Sequence, residues 1–177
     1  MYQKLNTVKE KTFSCILLTI LKTGIMVIRI IIFLFINFLG LGIGGFFTGK
    51  GVPSEWYQTL SKAPWTPPGW VFGFAWTTIM VLFSIYLSAL WSKIEDKNTF
   101  LIAFGIAFLL NVLWNPVFFY YHYMLLGLIV IVLLSVCVLY FILKYQTEMK
   151  WLTLLILPYI LWLCIATSLN AYAVIFN

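Results

Sequence analysis

Long apolar runs separated by short clusters of charge set the layout of this chain. Ile30 to Gly49 carries no charged residue, and neither do Ala63 to Ser92, Asn98 to Leu143 or Trp151 to Asn177. A helix of about 20 apolar residues crosses a hydrocarbon core of about 30 Å. The first, second and fourth blocks therefore supply one crossing each. The third, from 98 to 143, is too long for one crossing at about 1.5 Å per residue. It divides at Tyr120-Tyr121-His122-Tyr123, a polar-aromatic cluster of the kind that sits at headgroup level. Five spans follow, over roughly 27–48, 70–91, 99–119, 124–143 and 151–174. The runs are continuous, not alternating as barrel strands would be. The predicted fold is an all-α integral membrane protein, a bundle of five transmembrane helices.

Composition strengthens that reading. Hydrophobic residues make up 63% of the 177 and charged residues only 9%, against about 25% charged in a soluble domain. There is too little polar surface to cover a water-soluble globule. The net charge of +6 is spread over the gaps between apolar blocks, so it marks topology and not nucleic-acid binding. Lys4, Lys9, Lys11, Lys22, Arg29, Lys93, Lys97, Lys144 and Lys150 fall on one side of the five spans. Lys50 and Lys62 fall on the other. By the positive-inside rule the N-terminus is cytoplasmic, while Asn177 and the loop from Lys50 to Gly69 are outside.

Met1 to Thr23 differs from the rest: a basic start, an apolar run from Phe13 to Leu21, then Lys22. The run is too short to span, and no small-x-small cleavage site follows it. Two readings stay open for residues 1–25. They form a membrane-surface segment with snorkelling lysines, or an extension from a misassigned start, with Met26 as the initiator. Residues 26–177 form the transmembrane domain. Cys15, Cys137 and Cys164 lie in apolar surroundings without paired spacing and read as small buried hydrophobes. No metal-site spacing is present.

Candidate chemistry gathers in three places. Trp56 to Trp76 holds Trp65 and Trp70, Lys62, Pro64 and Pro67-Pro68. Adjacent prolines stop a helix and stiffen what precedes it, so this loop reads as a rigid lid over the bundle mouth, with an aromatic belt as the plainer alternative. In the third span Asn111 and Asn115 share a face, and Pro116 follows. In the fifth, Pro158, Trp162, Ala166 and Asn170 recur every four residues. Amides in lipid face the bundle interior, where they join helices or line a cavity. The prolines are expected to leave unbonded carbonyls near Val112 and Leu154. Gly40, Gly42, Gly44 and Gly45, with Ala103, Gly105 and Ala107, mark close helix contacts, within the bundle first and in a homodimer second. Glu10, Glu55, Glu95, Asp96 and Glu148 are scattered in loops or the N-terminal segment, and His122 lies among tyrosines. No catalytic set is visible, and no acid or lysine inside a span offers a proton relay.

Several of these stretches resemble one family. Lys62-Ala63-Pro64-Trp65-Thr66-Pro67-Pro68-Gly69-Trp70-Val71-Phe72-Gly73 resembles the signature of the tryptophan-rich sensory protein/translocator protein (TspO/MBR) family, also called the peripheral benzodiazepine receptor family. Leu110 to Pro116, Pro158 to Trp162, Ala166 to Asn170 and Gly44 to Gly49 are similar to it as well. The resemblance implies a five-helix bundle with a pocket opening toward the 50–69 loop. It implies porphyrins, haem or benzodiazepine-type compounds as ligands, with no cofactor required and no metal. By motif, ligand contacts would be Trp65, Trp76, Asn115, Trp162 and Ala166, with Trp56, Trp70 and Asn111 nearby. Indole faces suit a flat tetrapyrrole, and Lys50 and Lys62 suit its propionates. The family's sterol motif needs a basic residue after Tyr172, and none follows, which points to a bacterial-type member in the inner membrane. Three roles are implied: a sensor of tetrapyrroles, a light- and oxygen-dependent porphyrin-degrading enzyme using Trp76 and Trp162, or a porphyrin transporter. The expected partners are the tetrapyrrole, the lipid bilayer and a second copy of the chain, with no nucleic acid.

Overall fold

The computed structural model describes the backbone of residues 2–177 and the side chains of residue 16 and residues 18–177. The side chains of Cys15, Lys4, Lys9, Lys11 and Glu10 lie outside the described residues. Among the described residues six α-helices follow one another: α1 (Tyr2–Gly51), α2 (Glu55–Thr59), α3 (Gly69–Trp91), α4 (Lys97–Asn115), α5 (Met124–Met149) and α6 (Leu157–Phe176). A π-helical turn, Pro116–Tyr120, extends α4, and a 3-10 segment, Lys150–Leu155, joins α5 to α6. All but the short α2 take part in spans long and apolar enough to cross a membrane, five among the described residues.

Helix boundaries depart from the hydropathy boundaries wherever polar helix formers continue a turn. The fourth span was expected to end at 143, yet α5 runs to Met149 through Lys144, Gln146 and Glu148, residues that cost a helix little. The first was expected to begin near 27, and α1 runs back to Tyr2. The prolines act differently from one another. Pro116 begins the π turn, in which the Tyr121 amide donates to the Pro116 carbonyl at 2.9 Å. Pro158 does not interrupt a continuous helix, because the 3-10 segment breaks the chain first and Pro158 sits in the first turn of α6. A missing N–H costs little there. Pro67-Pro68 ends the loop as expected, with Pro68 capping α3.

The spans close a ring. Helix α1 packs on α3 and α4, α4 on α5, α5 on α6, and α6 returns to α3. The two ends of the ring are filled differently. Away from the 50–69 loop, the second half of α3 turns inward, and Tyr86, Leu87 and Leu90 are fully buried. Edge-on aromatic pairs fill that end, including Phe33–Phe104 at 5.5 Å and Phe83–Phe141 at 6.1 Å, each adding about 0.5–1.5 kcal/mol beyond burial. A buried hydrogen bond from Asn37 to Ser84, 2.8 Å, ties α1 to α3. At the loop end the first turns of α3 stay outside, with Trp70 72% and Phe74 67% exposed. That end of the ring is completed by the loop.

Glycine sets how closely α1 approaches α4. A Cβ on Gly40 would lie 2.7 Å from the Phe108 ring, one on Gly44 2.5 Å from Asn115 Nδ2, and one on Gly51 2.5 Å from Phe119. The small residues therefore serve contacts within the bundle at these positions. Gly42, Gly45, Gly49 and Gly105 have nothing within 4 Å of such a Cβ.

Candidate functional site

A cavity of about 70 Å³ lies at the loop end of the ring. Its wall on α6 is Ala166, Leu169, Asn170 and Ala173. Spacings of three and four bring these to one helical face, and the two alanines leave the space that larger side chains would fill. Across from them stand Phe72 of α3, Trp114 of α4, and Phe118 and Phe119 of the π turn. The loop covers the top with Tyr57, Leu60, Ser61, Lys62, Ala63 and Thr66.

Asn170 organises the wall. It is buried, its Oδ1 accepts from the Trp114 indole N–H at 3.1 Å, and its Nδ2 donates to the Met124 carbonyl at 3.0 Å. One amide thus joins α6, α4 and the start of α5. The Trp114 ring then stacks on Phe118 at 5.6 Å.

The lid is held at three places along its length. Within it, Ser54 caps α2, accepting from the Tyr57 amide at 3.3 Å. Trp56 stacks on His122 at 4.0 Å with their planes 16° apart, and His122 is presented by a left-handed backbone, φ 58°. The Asn177 side chain clasps Ser61 on both sides of its backbone: the Ser61 N–H donates to Asn177 Oδ1 at 2.8 Å, and Asn177 Nδ2 donates to the Ser61 carbonyl at 3.3 Å. The Trp65 indole donates to Ser168 Oγ at 3.1 Å, and its ring meets Tyr172 edge-on. Burial under the lid pushes the Tyr57 phenol above its ordinary pKa.

The residues singled out from sequence are not gathered in one place. Lys62 and Ala166 line the cavity. The Lys62 ammonium lies 4.8 Å from the Tyr57 ring centre. Trp162 is buried one turn below Ala166 and meets Phe72 edge-on at 5.4 Å. Among the described residues its indole N–H has no hydrogen-bond partner. Trp76 is half-buried and meets Tyr159 edge-on at 6.0 Å. Trp56 and Trp65 belong to the lid, and Trp70 is on the outside. Asn115 is turned to α1, where its Oδ1 accepts from Thr48 at 2.7 Å and its Nδ2 donates to the Asn111 carbonyl at 3.3 Å. Lys50 lies over the Phe46 ring at 4.2 Å, apart from the cavity.

Other lining residues escaped the sequence. Phe118 and Phe119 lie within the π turn, whose wider turn rotates them away from the face an α-helix would predict. Tyr57 gave no signal beyond being aromatic, and Trp114 and Phe72 stood out only as members of the family-like stretches, not as cavity residues. Asn170 did give one, standing in step with Trp162 and Ala166. Groups that bind and orient face this space: an amide, hydroxyls and one ammonium at the mouth. No cluster of His, Cys, Asp or Glu able to hold a metal occurs among the described residues.

Known proteins resemble this chain in sequence over most of its length. The TspO/MBR family profile matches residues 31–175. Protein CrtK of Rhodobacter capsulatus is 36% identical over 129 residues, covering 67% of this chain and 76% of that protein. The tryptophan-rich sensory protein of Cereibacter sphaeroides is 33% identical over 125 residues, 71% of this chain and 78% of that one. The human translocator protein is 28% identical over 137 residues, 75% of this chain and 80% of its own. The matched region runs from the first span to the last turns of α6, taking in the lid, the Trp114–Asn170 pair and the α6 wall. The chain therefore belongs to the TspO/MBR family of integral membrane proteins.

Proposed function

We propose that this protein is a membrane receptor that binds a porphyrin-type tetrapyrrole, protoporphyrin or haem, in the lidded cavity. The observation that carries the reading is the cavity itself. Aromatic rings form its floor, two alanines leave space on α6, and a lysine lies at its mouth. A flat apolar ring system with anionic side arms matches that set of groups, the rings by stacking and the ammonium by charge. The sensory name carried by the relative from Cereibacter sphaeroides agrees with a receptor role.

Size decides how the ligand enters. Sites for drug-sized ligands occupy about 300–1,000 Å³, and the cavity is about 70 Å³. A tetrapyrrole must therefore displace the lid, and the few contacts at Trp56, Ser61 and Trp65 are what it must loosen. Once the lid lifts, the unpaired Trp162 N–H, one turn below Ala166, is a donor for an acceptor atom on the ligand. An unmade bond of a buried donor costs about 1–3 kcal/mol, which binding would recover. With Lys93, Lys97, Lys144 and Lys150 at the end remote from the lid, we place that end in the bacterial cytoplasm and the lid outside the inner membrane.

The test is a titration of protein in nanodiscs with protoporphyrin in the dark, followed by tryptophan fluorescence. Saturable quenching that weakens in Ala166→Leu, which fills the cavity, and in Trp162→Phe supports the site. Quenching that never saturates, or is equal in all three proteins, refutes it. Repeating the titration under light separates binding from turnover. Bleaching of the porphyrin that requires Trp76 and Trp162 would replace the receptor reading with light- and oxygen-dependent degradation.

A further inference from the structure

One side of the cavity is the seam between α3 and α6, and that seam carries no polar tie. Side-chain hydrogen bonds join α1 to α3 (Asn37–Ser84), α1 to α4 (Thr48–Asn115), and α6 to both α4 and α5 (Asn170 with Trp114 and Met124). Among the described residues none joins α3 to α6. Their rings meet edge-on instead, Phe72 with Trp162 at 5.4 Å and Trp76 with Tyr159 at 6.0 Å. Lipid tails are as apolar as these side chains, so in a bilayer no hydrophobic force holds such faces together.

Toward the loop the seam has room in it. Spacings of three and four set Gly69, Phe72, Gly73 and Trp76 on one side of α3. A Cβ on Gly69 or Gly73 would meet nothing within 4 Å. Trp70 and Phe74 beside them are exposed.

Trp65 bridges from the loop to α6 at this height. The turn that carries it is fixed, because the Thr66 amide and hydroxyl both donate to the Ala63 carbonyl, at 2.9 and 2.7 Å. Ala63 and Thr66 line the cavity, whereas Trp65 between them points out of it and is 55% exposed. Its indole N–H donates to Ser168 Oγ, and the Ser168 hydroxyl donates on to the Ile165 carbonyl at 2.7 Å. Leu161, Ile165, Ser168 and Tyr172 form the edge of α6 beside the cavity wall, with Leu161 and Ile165 exposed. Of the lid's three attachments, this one is made on an apolar helix edge. Trp56 and Ser61 attach to His122 and Asn177, which lie beyond the ends of the spans.

We propose that the ligand enters from the bilayer, sideways between α3 and α6, with Trp65 as the gate. The inference rests on the receptor reading for the identity of that ligand. The ring system of a tetrapyrrole favours lipid over water, and its carboxylates stay at headgroup level, near Lys62 at the cavity mouth. Trp70 and Phe74 offer it ring faces on the way. Passage breaks the Trp65–Ser168 bond and the edge contacts of Trp65 with Tyr172 and of Phe72 with Trp162. Entry from water over the top would first have to break the Trp56 stack and both Asn177–Ser61 bonds. Those yield afterwards, as the roof rises over the guest.

The experiment uses the full chain in nanodiscs, with Cys15, Cys137 and Cys164 each changed to Ser and a single thiol placed in the cavity by Ala173→Cys. Its reaction is timed with a dodecyl maleimide held in the lipid and with a quaternary-ammonium methanethiosulfonate confined to water. Trp65→Ala should quicken the lipid-held reagent about two- to tenfold, the equivalent of one net hydrogen bond, and leave the water-confined one unchanged. Trp65→Phe, which keeps a ring and loses the bond, should fall between. Gly73→Trp, which fills the seam, should slow the lipid-held reagent alone. In the proteins without the added thiol, protoporphyrin delivered in the dark from donor vesicles should associate faster with Trp65→Ala and slower with Gly73→Trp, read by tryptophan fluorescence. Saturable protoporphyrin binding with thiol rates indifferent to positions 65 and 73 would overturn the gate and keep the receptor. Trp65→Ala quickening the water-confined reagent instead would overturn the side route in favour of the top. The expected thiol rates without saturable protoporphyrin binding would keep the gate and remove the tetrapyrrole.

Discussion

Removing the Asn170 amide should break the join between α4, α5 and α6, and its partners give the size of the effect. Asn170→Ala deletes the bond from Trp114 at 3.1 Å and the bond to the Met124 carbonyl at 3.0 Å. Interhelical hydrogen bonds in membrane proteins contribute about 0.6 kcal/mol each on average, so the two account for about 1.2 kcal/mol. The Met124 carbonyl begins α5 and keeps its helical partner. The Trp114 N–H does not, and an orphaned donor adds about 1–3 kcal/mol. The expected loss is about 2–4 kcal/mol. Trp114→Phe removes the orphan instead of creating it, so the double variant should be less destabilised than the sum of the singles, by about 1 kcal/mol or more. Unfolding in mixed micelles with rising dodecyl sulfate, followed by circular dichroism, measures all four corners of the cycle. Additivity within about 0.3–0.5 kcal/mol, the tolerance for independent sites, would refute the reasoning and reduce Asn170 to a spectator.

Three other outcomes follow from single contacts. Gly44→Ala places a Cβ 2.5 Å from Asn115 Nδ2, so Asn115 must leave Thr48, and mixed-micelle unfolding should show a loss of about 1–3 kcal/mol; Gly42→Ala, with open space around it, should be neutral or slightly stabilising. Asn177→Ala releases Ser61, so hydrogen exchange over the lid should quicken about two- to tenfold, the equivalent of a net bond of about 0.5–1.5 kcal/mol, and porphyrin association should quicken with it. Tyr57 is an acid whose pKa burial raises, so the folded lid favours the neutral phenol. That contribution is complete below the ordinary tyrosine pKa of about 10 and is lost as pH rises through the higher folded value. Lid exchange should therefore quicken at alkaline pH in the wild type, and the added alkaline step should vanish in Tyr57→Phe.

The five spans were legible because hydropathy and charge are local properties, and each block between charges contained one helix or two. The lid's existence was legible too, since Pro64, Pro67 and Pro68 forbid helix over that stretch. The α2 turn inside it was not, although Ser54 before Glu55 is an ordinary helix start. The amides of Asn115 and Asn170 face neighbouring helices, but inward has two destinations in a ring of helices. Asn111 and Asn115 share a face as their spacing requires. That face meets α1 at Gly44 and Thr48, and the cavity lies elsewhere. Nothing in the spacing of two amides distinguishes a neighbouring helix from an empty volume. Only Gly44, four residues before Thr48, hints that α1 comes close enough to take the bond.

The cavity itself is a property of distant pairs, and this governs what it can do. Trp56 reaches His122, Ser61 reaches Asn177, Trp65 reaches Ser168 and Trp114 reaches Asn170, none of them neighbours in the chain. The first three hold the lid and the last holds the wall, so they should influence binding in opposite directions. A ligand that needs the lid raised binds with its intrinsic constant divided by the fraction of molecules already open. Loosening a lid contact raises that fraction and tightens apparent binding until the open state dominates. Loosening the Trp114–Asn170 contact deforms the surface the ligand must touch and can only weaken it. The sign of the change therefore sorts these residues into gate and wall, a distinction that their distances alone do not draw.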